Sequence, residues 1–126
     1  MTAKQRRLLA VLTLTGMGLV LLTHLVRPYL VNPPAWLAFV FGVLPNFGAG
    51  LGIPCVLMIL AEFIFARMGL SFNTRKVLVV SSLISLVGLY AWEFTGGTID
   101  PFDLASSAVA ILISLILMLG FLNTSN

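Results

Sequence analysis

Long apolar runs separated by short polar segments form the main pattern of this chain. The runs cover residues 8–26, 47–66, 77–92 and 104–122. A helix needs about 20 predominantly apolar residues to cross the ~30 Å hydrocarbon core of a bilayer. The pattern therefore predicts an all-α integral membrane fold, with four transmembrane helices in a small bundle that forms one domain over residues 1–126.

A shorter apolar stretch, residues 37–44, precedes the second predicted helix. Pro45 and Asn46 follow it, and proline interrupts a helix because it lacks the backbone N–H. Asparagine is also a favoured N-cap residue. We expect the short stretch to lie in the membrane interface or to re-enter the membrane. The second helix is then expected to begin at Phe47, with Asn46 as its N-cap.

The composition supports a membrane protein and excludes several classes of function. Hydrophobic residues make up 60% of the chain and charged residues only 9%, whereas soluble domains average about 25% charged residues. We expect the lipid bilayer as the main partner and no nucleic acid. With one Cys and one His, the chain is predicted to hold neither a disulfide nor a metal ion, and no cofactor is expected. No catalytic motif is found, so the chain is not expected to be an enzyme.

Basic residues are distributed asymmetrically around the four runs. Six of them fall on one side of the predicted membrane: Lys4, Arg6, Arg7, Arg67, Arg75 and Lys76. Arg27 alone falls on the other side. Because loops rich in Lys and Arg stay in the cytoplasm, the chain is predicted to be a multi-pass protein of the bacterial inner membrane with both termini cytoplasmic. The first run is longer than a signal-peptide core and is expected to remain as a helix.

Acidic residues gather in the loop before the fourth helix. Of the four in the chain, three are Glu93, Asp100 and Asp103. Asp100 is a suitable N-cap, Pro101 suits the first helical position, and Asp103 favours the positive end of the helix dipole. Glu93 instead ends the third helix, where the dipole disfavours it. The three carboxylates could bind a cation, share a proton or pair with Arg27, or Glu93 could be a solvated surface group.

The fourth acidic residue, Glu62, lies inside the second predicted helix near its cytoplasmic end. Ionisable residues inside a membrane span usually pair or take part in function. We expect Glu62 to form an ion pair with Arg67 or Arg75.

Small residues recur at four-residue spacing in three of the predicted helices. The sets are Gly48 and Gly52, Ser81 and Ser85, and Ser106, Ala110 and Ser114. Small side chains let membrane helices approach closely. The three sets are expected to pack the bundle, or alternatively to contact a second copy of the chain or another membrane protein.

The segment around the acidic loop resembles the C-terminal half of VanZ-like membrane proteins. Glu93 ends an apolar span, and Asp100 and Asp103 open the last one in an Asp-x-x-Asp pattern, as in that family. The stretch "LPNFGAG" could correspond to an earlier polar motif of the family, with Asn46 in place of an Asp. The resemblance implies a small accessory membrane protein with these residues at its site.

Three functions remain open from the sequence. The first is a VanZ-like accessory protein whose outward acidic loop, together with Asn46 and Arg27, meets a ligand, an ion or a component of the cell envelope. The second is a structural or assembly subunit of a larger membrane complex. A small channel or transporter is the third, and the unequal charge distribution is not typical of dual-topology proteins of this size.

Overall fold

A computed structural model of the chain describes residues 1–96 and 99–123. Within them the α-helices are α1 (Ala3–Val26), α2 (Ala35–Arg67), α3 (Thr74–Thr95) and α4 (Pro101–Asn123), and a single 3-10 turn, Arg27–Tyr29, follows α1. Each of the four helices is long and apolar enough to cross a membrane. The all-helical prediction with four candidate spans is therefore confirmed.

The central helix of the bundle is α2, which contacts α1, α3 and α4. Helix α1 runs antiparallel to it, because Arg6 lies beside Glu62 while Gly16 lies beside Gly48. Helix α4 runs parallel to α2, with Phe102 beside Phe39 and Ala110 beside Gly50. Helix α3 packs on both α2 and α4.

All four observed helices begin earlier than the predicted apolar runs. In α1, α3 and α4, polar side chains before the apolar run stabilise the first turn. In α1, Thr2 and Gln5 form a reciprocal capping box. In α3, the side chain of Asn73 accepts a hydrogen bond of 3.0 Å from the Lys76 amide. Side-chain acceptors of this kind satisfy the free N–H groups of a helix start. Hydropathy alone therefore underestimates how far each helix extends.

The predicted break before the second helix is wrong. Residues 37–44 belong to α2, which continues through Pro45 and Pro54. Membrane helices tolerate proline where neighbouring groups support the backbone, and α4 packs along this part of α2. The hydroxyls of Ser106 and Ser107 donate to the carbonyls of Val43 and Asn46, at 3.5 and 3.4 Å.

This continuity also removes Asn46 from its predicted role as an N-cap. The residue lies in the interior of α2, and Pro34 occupies the N-cap position. Its side chain is therefore free to bond to another helix.

Charged residues collect at the two ends of the bundle. We call the end that carries Arg27, Glu93, Asp100 and Asp103 the acidic end. The basic end carries Lys4, Arg6, Arg7, Glu62, Arg67, Arg75 and Lys76. On α2, Asn46 at the acidic end and Glu62 at the basic end are separated by about 24 Å at 1.5 Å per residue. The apolar slab between them is close to the ~30 Å core of a bilayer.

Candidate functional site

An open groove runs between α2 and α3 from the acidic end towards the middle of the bundle. Its volume is about 490 Å³. We call it the α2–α3 groove. Its walls include Ala49, Ile53 and Leu57 of α2, and Ile84, Gly88 and Leu89 of α3. Asn46 and Ser85 are its polar members, and Trp92 stands at its rim with 73% of its surface exposed.

The groove exists because α2 is drawn closely to α1 and α4 but not to α3. A Cβ added to Gly16 of α1 would collide with the carbonyl oxygen of Gly48. On another face of α2, a Cβ on Gly50 would lie 2.6 Å from the Ser107 carbonyl oxygen of α4. In contrast, a Cβ on Gly88 of α3 would meet nothing within 4 Å. Small residues thus bring three helices together and leave space beside the fourth.

A hydrogen bond between α2 and α3 marks the polar end of the groove. The side-chain amide of Asn46 donates to Oε1 of Glu93 at 3.1 Å. Glu93 is half-buried and lies in the last turn of α3, where the helix dipole opposes a negative charge. The Asn46 N–H group offsets part of that unfavourable interaction. The pair therefore holds a carboxylate beside an apolar cavity.

A second, smaller cavity of about 240 Å³ lies beside the groove. Thr23, His24, Arg27 and Pro28 line it together with Pro45, which also lines the α2–α3 groove. Pro45 thus stands between a cavity that carries Arg27 and a groove whose end carries the Asn46–Glu93 pair. Opposite charges flank one edge of α2 at the acidic end.

The other two acidic residues of the acidic end, Asp100 and Asp103, lie at the N-terminus of α4. Oδ1 of Asp100 accepts a hydrogen bond of 2.8 Å from the Phe102 amide. The Asp100 carbonyl accepts bonds from the amides of Asp103 and Leu104, and Asp103 lies in the first turn. Among residues 1–96 and 99–123, no three His, Cys, Asp or Glu side chains are grouped closely enough to hold a metal ion. Glu93, Asp100 and Asp103 therefore do not form one cation site in the described residues.

Arg27 does not pair with these carboxylates. In the described part of the chain, the ion pairs within 4.0 Å both belong to Glu62. Arg27 lines the second cavity instead.

The partners of Glu62 differ from the expected Arg67 or Arg75. Glu62 pairs with the Arg6 guanidinium at 2.9 Å and with the Met1 amino group at 3.0 Å. Arg67 instead lies over the Phe63 ring, 5.4 Å from its centroid. The reason is geometric: Arg67 is five residues beyond Glu62, which turns it well away from the same helical face. The antiparallel α1 brings Arg6 to the correct face.

The predicted small residues lie at helix contacts inside the chain. Gly48 and Gly52 face Gly16 of α1, and Ala110 faces Gly50. Ser114 is fully buried, with its hydroxyl 3.3 Å from the Cys55 sulfur. Ser106 is half-buried and bonds to the carbonyl of Asp103 as well as to that of Val43.

Sequence reasoning missed two glycines that make the closest contacts, Gly16 and Gly50. Gly50 stands between Gly48 and Gly52, and this spacing directs it to a different face of α2. Sequence reasoning also missed the α2–α3 groove. The available signal was the small-residue series Ser81, Ser85 and Gly88 on one face of α3, of which only the serine pair has four-residue spacing.

Comparison of the chain with protein-family models, curated proteins and solved structures found no match. The fold and the groove themselves define the class. Over residues 1–96 and 99–123 it is an all-helical protein with four helices able to span a membrane, and with a lateral apolar groove that ends in a polar pair.

Proposed function

We propose that this chain is a multi-pass membrane protein that binds an amphipathic lipid of the cell envelope in the α2–α3 groove. The acyl chain lies between α2 and α3, and the headgroup lies at the acidic end, beside Asn46 and Glu93. This is the form of the envelope-ligand hypothesis that the geometry supports best. A VanZ-like accessory role is compatible with it and stays a prediction.

The match between groove length and lipid length supports this proposal. From Asn46 to Leu57 the groove extends about 16 Å along α2, at 1.5 Å per residue. One leaflet contributes about half of the ~30 Å hydrocarbon core. An acyl chain that starts at the level of Asn46 therefore fills the groove to its inner end. Its headgroup then lies at the level of the polar pair.

Orientation follows from the charges at the two ends. The basic end carries six of the seven Lys and Arg residues, which favours a cytoplasmic location. We place the basic end in the cytoplasm of a bacterium and the acidic end at the outer face of its inner membrane. The bound lipid then belongs to the outer leaflet.

The alternative, a structural subunit that uses its small-residue faces, has less support. Gly48, Gly52, Ala110 and Ser114 are all buried within the chain. These faces are therefore occupied and offer little surface to a partner helix.

A substitution at Gly88 tests lipid binding directly. Because a Cβ at Gly88 meets nothing within 4 Å, Gly88→Leu should fold and place its side chain in the groove. Gly18→Leu is the matched control, because Gly18 is equally open but does not line the groove. Native mass spectrometry of the detergent-purified protein should show retained lipid in the wild type and in Gly18→Leu, and much less in Gly88→Leu. Equal retention in all three proteins would refute the proposal.

A further inference from the structure

The polar end of the groove carries unused hydrogen-bond acceptors. The Asn46 amide nitrogen donates to Oε1 of Glu93, which leaves the Asn46 amide oxygen and Oε2 of Glu93. Within residues 1–96 and 99–123 neither of these two oxygens receives a hydrogen bond, and Glu93 has no cationic partner. Two acceptors and one negative charge are therefore available where Asn46, which lines the groove, bonds to Glu93.

The complementary group is a donor with a positive charge. A primary ammonium carries three N–H donors, enough for both acceptors and one water molecule. Hydrogen bonds between an ammonium and a carboxylate are about twice as strong as those between neutral groups. A trimethylated ammonium carries the same charge but no N–H donor.

Arg27 supplies the opposite charge on the other side of Pro45. It lines the neighbouring cavity, and in the described residues no carboxylate lies within 4.0 Å of it. A guanidinium binds phosphate oxygens through two parallel hydrogen bonds. The acidic end thus presents a site for an anion next to a site for a cation.

We propose that the groove selects a lipid whose headgroup joins a phosphate to a primary amine, with the phosphate at Arg27 and the ammonium at Glu93 and Asn46. This selectivity rests on the lipid binding proposed above. A phosphoethanolamine headgroup has this chemistry, because only two carbons and one ester oxygen separate its ammonium from the phosphorus. Phosphoglycerol lacks the positive charge, and phosphocholine lacks the N–H donors.

The test is a competition between lipids with identical acyl chains. Purified protein is mixed with equal amounts of phosphatidylethanolamine, phosphatidylglycerol and phosphatidylcholine, and the bound species are resolved by native mass spectrometry. We expect phosphatidylethanolamine to be bound roughly tenfold in excess of either competitor, the ratio that one charge-assisted hydrogen bond provides. Equal binding of the three lipids would overturn the proposal.

Two variants identify the residues responsible. Glu93→Gln keeps an oxygen for Asn46 but removes the charge, so the excess of phosphatidylethanolamine over phosphatidylglycerol should fall to about one. Arg27→Gln should weaken the binding of both phosphatidylethanolamine and phosphatidylglycerol, because both contain phosphate. The ratio of the two bound lipids should stay unchanged. An unchanged ratio in Glu93→Gln overturns the assignment of the ammonium.

The Gly88→Leu variant separates this proposal from the one on which it rests. In one outcome, Gly88→Leu abolishes binding of all three lipids while Glu93→Gln leaves the ratio of phosphatidylethanolamine to phosphatidylglycerol unchanged. The groove then binds lipid but does not recognise its amine. If Gly88→Leu retains all three lipids as well as Gly18→Leu does, lipid does not occupy the groove and both proposals fail.

Discussion

The side chain of Asn46 in α2 donates a hydrogen bond of 3.1 Å to Glu93 in α3, 47 positions further along the chain. This bond joins the interior of α2 to the last turn of α3, across the outer end of the α2–α3 groove. It also fixes the position of a carboxylate that the dipole of α3 disfavours. We expect the pair to contribute to stability and to ligand recognition in different ways, which substitutions can separate.

The first prediction concerns the stability of this pair. Glu93→Gln preserves the oxygen that accepts from Asn46 and removes a charge at the wrong end of a helix dipole, so stability should be unchanged or rise by at most about 1 kcal/mol. Asn46→Ala breaks the hydrogen bond and should cost about 0.5–1.5 kcal/mol. Equilibrium unfolding in detergent measures both. If Glu93→Gln is clearly destabilising, the charge itself has a structural partner.

The second prediction concerns the close approach of α1 and α2. Gly16→Ala places a methyl group against the Gly48 carbonyl oxygen, and overpacking of this kind costs about 1–3 kcal/mol. Gly18→Ala, two residues away, meets nothing within 4 Å and should be neutral or slightly stabilising. Thermal melting of both variants in the same detergent provides the comparison. Similar melting temperatures would contradict the close contact between Gly16 and Gly48.

The third prediction concerns the partner of Glu62. Arg6→Gln and Glu62→Gln should each lower the melting temperature. The decrease in the double variant should be smaller than the sum of the two single decreases. Arg67 lies over Phe63 instead of pairing with Glu62, so Arg67→Gln combined with Glu62→Gln should be additive. Non-additivity with Arg67 and additivity with Arg6 would reverse the assignment.

The fourth prediction concerns orientation in the membrane. A reporter that is active only after export should be active when inserted at Ile99, at the acidic end. A reporter that is active only in the cytoplasm should be active when fused after Asn126. An exported reporter that is active at the C-terminus would contradict the predicted cytoplasmic location of that terminus.

Much of the fold follows from the sequence, because the length of an apolar run decides whether a helix can cross a bilayer. The four candidate spans are of this kind. The helix starts at Thr2 and Asn73 are less visible, because their caps lie in polar segments outside the runs. The continuity of α2 through Pro45 is accompanied by packing against α4 and by hydrogen bonds from its serine hydroxyls. Local sequence rules do not include such long-range contacts.

The candidate site was only partly accessible to sequence reasoning. Glu93 stood out because its charge opposes the dipole of α3. The VanZ-like resemblance groups Asn46 with Glu93, but the local sequence around Asn46 predicts only a helix cap. A contact between residues 47 positions apart depends on how the helices pack. The pairing of Glu62 with Arg6 is long-range for the same reason. A groove is even harder to predict from sequence, because it forms where side chains do not fill the space between two helices.

The most direct test of lipid binding is photolabelling with a phospholipid whose acyl chain carries a diazirine. After illumination in vesicles and digestion, mass spectrometry locates the adducts. We predict that Ile53, Leu57 and Leu89, which are half-buried in the groove, are labelled more than the exposed Leu14 and Ile116, and that Gly88→Leu abolishes the excess. Labelling that simply follows surface exposure, unchanged in Gly88→Leu, would contradict a lipid site between α2 and α3.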